Sequence, residues 1–136
     1  MKPSTRRKFI GDTGKAVMAG TVILAAGNNQ QGEMKNVFVH HVYFWLKNKD
    51  SKEDLEKLIA GLKKLSAVKT IKQFHIGKPA DTNRDVIDRS YAASWLVLFD
   101  SGTDQASYQT DPIHLKFVEE CSSLWERVVV YDSVNA

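Results

Sequence analysis

Val37-Phe38-Val39-His40-His41-Val42-Tyr43-Phe44-Trp45-Leu46 decides the fold. The stretch is rich in β-branched and aromatic residues and too short for a typical buried helix, so it reads as a β-strand. Successive side chains of a strand point to opposite faces, which puts Val37, Val39, His41, Tyr43 and Trp45 on one side and Phe38, His40, Val42, Phe44 and Leu46 on the other. Neither side is consistently polar, and a sheet built on this strand is therefore covered, at least in part, on both faces.

The rest of the chain supplies the partners. Ser51 is placed to cap a helix, with Glu53 and Asp54 complementing the dipole in its first turn. Leu55, Leu58, Ile59, Leu62 and Leu65 recur at three- and four-residue spacing with lysines opposite, the mark of an amphipathic helix. Residues 70–76 read as a second strand ended by Gly77 and Pro79, and residues 80–89 as a polar loop. Residues 91–99 form a third strand, and a short helical piece is expected at 104–108. Asp111-Pro112 is an N-cap and N1 pair for the next helix, whose His114, Phe117, Val118, Cys121, Leu124 and Trp125 are expected on one stripe. Residues 128–134 close the domain as a fourth strand. The order β-α-β-β-α-β is the ferredoxin-like α+β arrangement, with both helices on one face of an antiparallel sheet. The apolar opposite face then needs a cover, and in so short a chain the simplest one is a second copy, so a homodimer is expected.

Composition agrees with one such domain. A chain of 136 residues with 43% hydrophobic and 26% charged residues has room for one core and lacks the profile of a disordered chain. Its net charge of +3 is concentrated before Gly27, where Lys2, Arg6, Arg7, Lys8 and Lys15 stand against Asp12. The remainder is slightly acidic, without the basic stripe that a phosphate backbone requires, and no nucleic-acid partner is expected. The single cysteine, Cys121, sits among Phe117, Val118, Leu124 and Trp125 and reads as an inert buried thiol.

Residues 1–27 have the order of a signal peptide: Ser4-Thr5-Arg6-Arg7-Lys8-Phe9-Ile10, then a weakly apolar stretch from Ala16 to Ala26, then a polar run from Gly27. The paired arginines and the lysine within the segment resemble a bacterial twin-arginine signal, which the translocation machinery reads as an address. The apolar stretch is about half the ~20 residues needed to span a bilayer, so no stable membrane anchor is expected. The expectation is an exported, periplasmic protein with a polar linker at 28–36 and a domain at 37–136.

Several segments resemble a known family. His40-His41-Val42-Tyr43-Phe44-Trp45-Leu46-Lys47 looks like its opening strand, Phe74 to Gly77 like its second-strand ending, and Trp125 to Asp132 like its last strand. Tyr108, Asp111-Pro112-Ile113-His114 and Phe117 resemble its tyrosine and histidine segment. These matches run in order over roughly the last hundred residues, and the family is that of the stress-responsive dimeric α/β-barrel (Dabb) domains. The resemblance implies a dimer whose sheets face each other around a cavity. One similar branch, the plant olivetolic acid cyclase, performs a cofactor-free aldol cyclisation with a tyrosine and a histidine. That pair falls on Tyr108 and His114, and Trp125 matches a pocket aromatic. The sequence departs from the family in having Asp111 where histidine is common, and nothing in a bacterial leader points to polyketides.

His114 and Tyr108 are thus the candidate catalytic pair, histidine as base and phenol as hydrogen-bond donor to a developing enolate oxygen. Against this stand a buried histidine tied to a neighbouring strand and a tyrosine at the core edge with its hydroxyl in water. His40, Trp95 and Trp125 are the candidate ligand-binding residues; Trp45 also reads as core or cavity lining. His40 and His41 point to opposite faces, and neither His75 nor His114 has a partner at metal-ligand spacing, so no metal site is expected. The sequence contains no Gly-rich phosphate loop, nucleophile elbow or redox cysteine pair, and no cofactor is expected. Two functions follow: a binder of a small apolar or aromatic molecule in an interior cavity, or a cofactor-independent lyase or cyclase acting on a carbonyl compound. A structural dimer with a filled interior is the third.

Overall fold

The computed structural model describes residues 31–136. The expected leader and residues 28–30 of the expected linker lie outside these residues. The elements are β1 (Phe38–Leu46), α1 (Lys52–Leu65), β2 (Gln73–Gly77), β3 (Ala93–Phe99), α2 (Gly102–Thr110), α3 (Pro112–Cys121), a 3₁₀ turn (Ser122–Leu124) and β4 (Trp125–Val134). All strand pairs are antiparallel, in the order β2-β3-β1-β4, with the helices on one face. This is the ferredoxin-like α+β fold.

Each helix starts where its sequence supplies an acceptor. Ser51 Oγ accepts the Asp54 N–H at 3.0 Å, Ser101 Oγ accepts that of Asp104 at 3.2 Å, and Asp111 Oδ1 accepts that of Ile113 at 2.8 Å. Such caps contribute about 1 kcal/mol each. Asp111 also ends α2, its N–H bonded to the Tyr108 carbonyl, so one residue forms the corner between two helices.

Register fixes the faces. His40 lies opposite Val97 and Asp132, and Val42 opposite Trp95 and Val130, so these residues share the helix-facing side. There Val42, Phe44, Trp95, Val97 and Phe99 meet Leu58, Leu62 and Leu65 from α1, Tyr108 from α2 and Phe117 and Cys121 from α3. Burying a side chain of this size is worth about 1.5–3 kcal/mol. The α1 and α3 helices approach closely at Gly61, where a Cβ would lie 2.5 Å from Cys121 Sγ. The other face carries Val39, His41, Tyr43, Trp45, Leu96 and Tyr131.

Several boundaries differ from the sequence expectation. β2 begins at Gln73, because the Ile71 N–H is spent on the Val68 carbonyl in a turn and pairing with β3 starts from Lys72. β3 starts at Ala93 and β4 at Trp125. The helical piece expected at 104–108 is a full nine-residue helix, started by its Ser101 cap. The predicted stripe of α3 also shortens: Leu124 and Trp125 lie beyond the helix, and Val118 is 39% exposed on its outer side. His114, Phe117 and Cys121 are what it turns inward.

Candidate functional site

Tyr108, in the last turn of α2, is 1% exposed. Its hydroxyl oxygen accepts a hydrogen bond from Trp95 Nε1 at 2.9 Å, and its ring meets Phe99 edge to face at 5.1 Å. The hydroxyl does not reach water, in contrast to the core-edge position read from the sequence. Burial pushes the phenol up to about 12, against a smaller opposing effect of the Trp95 hydrogen bond. The group therefore stays protonated at neutral pH, with its oxygen anchored and its own hydrogen available to donate.

His114, in the first turn of α3, has its ring centroid 4.7 Å from that of Tyr108. Its Nδ1 lies 3.0 Å from the Gln109 carbonyl oxygen. A carbonyl only accepts, so Nδ1 carries the proton and Nε2 is left as the base. The tie runs to the end of α2, not to a neighbouring strand. Burial is the main influence on the imidazole and lowers its pKa, partly offset by the Gln109 hydrogen bond, so the ring is neutral at pH 7.

His40 reaches the same place from the centre of β1. It is 5% exposed, its ring centroid is 5.6 Å from that of Tyr108, and its Nδ1–H donates to Asp132 Oδ1 at 2.6 Å. Here too the hydrogen bond commits Nδ1. Asp132, His40, Tyr108 and His114 thus form a continuous series of polar side chains between helices and sheet, floored by Trp95 and Phe99.

Four of the five sequence candidates, His40, Trp95, Tyr108 and His114, are brought together. Trp125 stands apart, packed on Phe44 at 5.0 Å and Phe117 at 5.8 Å. Phe44 is four residues along β1 from His40, about 13 Å at strand spacing. Trp45 projects from the opposite face, its Nε1 donating to Ser90 Oγ. Sequence reasoning missed Asp132: it lies 92 residues from His40, and only the pairing of β1 with β4 reveals the contact. Cys121 is buried, and that burial raises its thiol pKa. Among the described residues no group of three or more histidine, cysteine or carboxylate side chains is arranged to hold a metal ion, and no helix is long and apolar enough to cross a membrane.

No curated protein matches the chain in sequence. Solved structures share its fold. A Dabb family protein with a ferredoxin-like fold from Mesorhizobium loti is 22% identical, with 74% of this chain and 97% of that one covered and a TM-score of 0.62. The hydroxynitrile lyase of Passiflora edulis is also 22% identical, with 76% and 96% covered and a TM-score of 0.62. A ferredoxin-like protein from Bacteroides fragilis, described as dimeric, is 16% identical, with 76% and 100% covered and a TM-score of 0.60. The family model of the stress responsive A/B barrel domain (Dabb) matches residues 38–135, which take in every strand and helix described above, and the chain belongs to that family.

Proposed function

We propose that this chain is a homodimer in which each copy carries, between its helices and its sheet, a cofactor-independent acid–base site for a small apolar or aromatic carbonyl compound, acting as a lyase or cyclase. One observation carries the reading: both imidazoles have Nδ1 committed, His114 to the Gln109 carbonyl and His40 to Asp132, around a phenol whose oxygen is fixed and whose hydrogen is free to donate. His114 Nε2 takes a proton from the carbon next to the carbonyl. The C–H electron pair becomes the C=C bond of an enolate while the C=O π pair moves onto oxygen, where the Tyr108 O–H stabilises it; the enolate carbon then attacks a second carbonyl of the substrate, whose oxygen takes the proton back from the imidazolium, and a lyase runs the same steps in reverse. Phe99 and Trp95 supply apolar walls. The Passiflora relative, by its name a lyase, supports this reaction class on the same fold.

The test is turnover by the purified protein of a panel of linear dicarbonyl compounds with aryl or alkyl substituents and of their aldol products. Expected are activity on at least one member and a loss of at least about a hundredfold in kcat/KM for His114→Ala and Tyr108→Phe. Saturable binding without turnover supports a second reading, a binding protein. That reading is favoured by the 1% exposure of Trp95 and Tyr108, which leaves a ligand to enter past the half-buried His114. No binding and no turnover sinks both.

The dimer rests on the open face of the sheet, which carries Val39, Tyr43, Trp45 and Leu96, and is supported by the dimeric description of the Bacteroides protein. Leu96→Glu places a charge in the middle of that face, and light scattering is expected to show a monomer; an unchanged mass refutes this interface. Export through the twin-arginine route rests on residues 4–26. It predicts recovery from the periplasm, abolished when Arg6 and Arg7 are both changed to lysine.

A further inference from the structure

The face of the sheet turned away from the helices carries a second constellation, which shares no side chain with the Tyr108 group. Tyr43 and Trp45 from β1, Tyr131 from β4, and Asp88 and Tyr91 from the loop before β3 line a pocket of about 270 Å³. Its rings stand nearly at right angles: Tyr43 to Tyr91 at 4.9 Å and 75°, Tyr43 to Tyr131 at 6.1 Å and 74°, Trp45 to Tyr91 at 6.5 Å and 77°. Such edge-to-face rings line the pocket with aromatic surface, and the face of each ring is the negative side of its quadrupole. The loop that completes the pocket is pinned to it. Trp45 Nε1 donates to Ser90 Oγ at 2.9 Å, and the Ser90 N–H donates to Asp88 Oδ1 at 2.8 Å.

Charge decides what such a pocket takes. The Arg127 guanidinium already lies 4.3 Å over the Trp45 ring, so one of these rings already holds a cation. Arg127 does not line the pocket, although its charge reaches Asp88, and the Asp88 carboxylate does line it. Four electron-rich rings and a carboxylate disfavour an anion. They also suit a weakly hydrated organic cation better than a compact metal ion, which demands oxygen ligands. We propose that the box formed by Tyr43, Trp45, Tyr91, Tyr131 and Asp88 binds a small methylated or quaternary ammonium compound. In the dimer proposed above, the box faces the partner's sheet and its ligand is enclosed between the two copies.

The experiment is calorimetric titration of the full chain with choline, with choline's neutral analogue in which carbon replaces nitrogen, and with benzoate, each paired with light scattering. Expected are saturable binding of choline, at least about tenfold weaker binding of the neutral analogue, and a loss of about tenfold or more in Asp88→Asn. Tyr131→Leu, a change at a 64% exposed side chain, is expected to weaken choline to a similar degree without unfolding the chain. Equal affinity for choline and its analogue, preference for benzoate, absence of binding, or choline binding only with dissociation of a dimer each overturns the proposal. The catalytic panel reads His114 and Tyr108 on the other face, so its failure leaves this outcome separate.

Discussion

Trp95 and Tyr108 meet inside the core through one hydrogen bond, indole Nε1 to phenol oxygen at 2.9 Å, with both residues 1% exposed. The bond joins the central strand β3 to α2. It fixes the phenol at one oxygen position, on a ring that packs beside those of His114 and His40.

Tyr108→Phe removes the acceptor but not the indole donor, so a buried N–H is left unpaired. Urea unfolding is expected to show a loss of about 1–3 kcal/mol. Trp95→Phe in the same background removes the stranded donor, so the two costs are expected to be less than additive. Full additivity would show that the bond contributes nothing to the fold.

Acid is expected to destabilise the domain through His114 and His41, both of which burial shifts below the ordinary 6.5. The sign follows from proton uptake: as pH falls through 6.5 the unfolded chain protonates first, so stability is full above that value and declines below it until the folded-state pKa is passed. Unfolding midpoints measured between pH 8 and pH 5 should therefore fall on the acid side, with a shallower slope in His114→Gln. Turnover should also fall on the acid side, below the ordinary 6.5, since the base must be neutral.

Asp132→Asn preserves shape and removes the charge that holds His40 Nδ1–H. Turnover is expected to drop by at least about tenfold. Stability should change by only about 1 kcal/mol, because the carboxylate is 42% exposed and solvent screens it. A stability loss without a change in turnover would make the pair a strut of the sheet edge and nothing more.

Gly61→Ala sets two effects against each other. Alanine is the better helix former by about 1 kcal/mol, but its Cβ falls 2.5 Å from Cys121 Sγ and 3.3 Å from the Phe117 ring. Overpacking of this kind costs about 1–3 kcal/mol, so net destabilisation is expected. Cys121→Ala should relieve it, and calorimetric melting of the single and double variants reads the difference directly.

What the sequence showed and what it hid divide along physical lines. The faces of β1 follow from strict alternation and agree with the observed register, and the caps at Ser51 and Asp111 are local enough to read from neighbouring residues. Tyr108 and His114 are six residues apart across a helix corner, a separation short enough to suggest convergence. The end of the α3 stripe misled because helical periodicity continues past Cys121 in the sequence while the backbone tightens into a 3₁₀ turn. The depth of Tyr108 and the partnership of His40 with Asp132 were hidden because each depends on long-range strand pairing or layer packing, and no local spacing encodes either.

The corner at Asp111 and the β1–β4 ladder give the two halves of the site different histories. His114 is tied to a carbonyl five residues away, whereas His40 is tied to a carboxylate 92 residues away on an edge strand. The first contact closes a short loop at small entropic cost, while the second exists only once the last strand has zipped onto the sheet. Fraying of β4, the exposed margin of the sheet, thus strips His40 of its carboxylate while the tyrosine–histidine corner stays intact. Amide exchange along β4 should then keep time with the loss of one imidazole's orientation and leave the other's untouched.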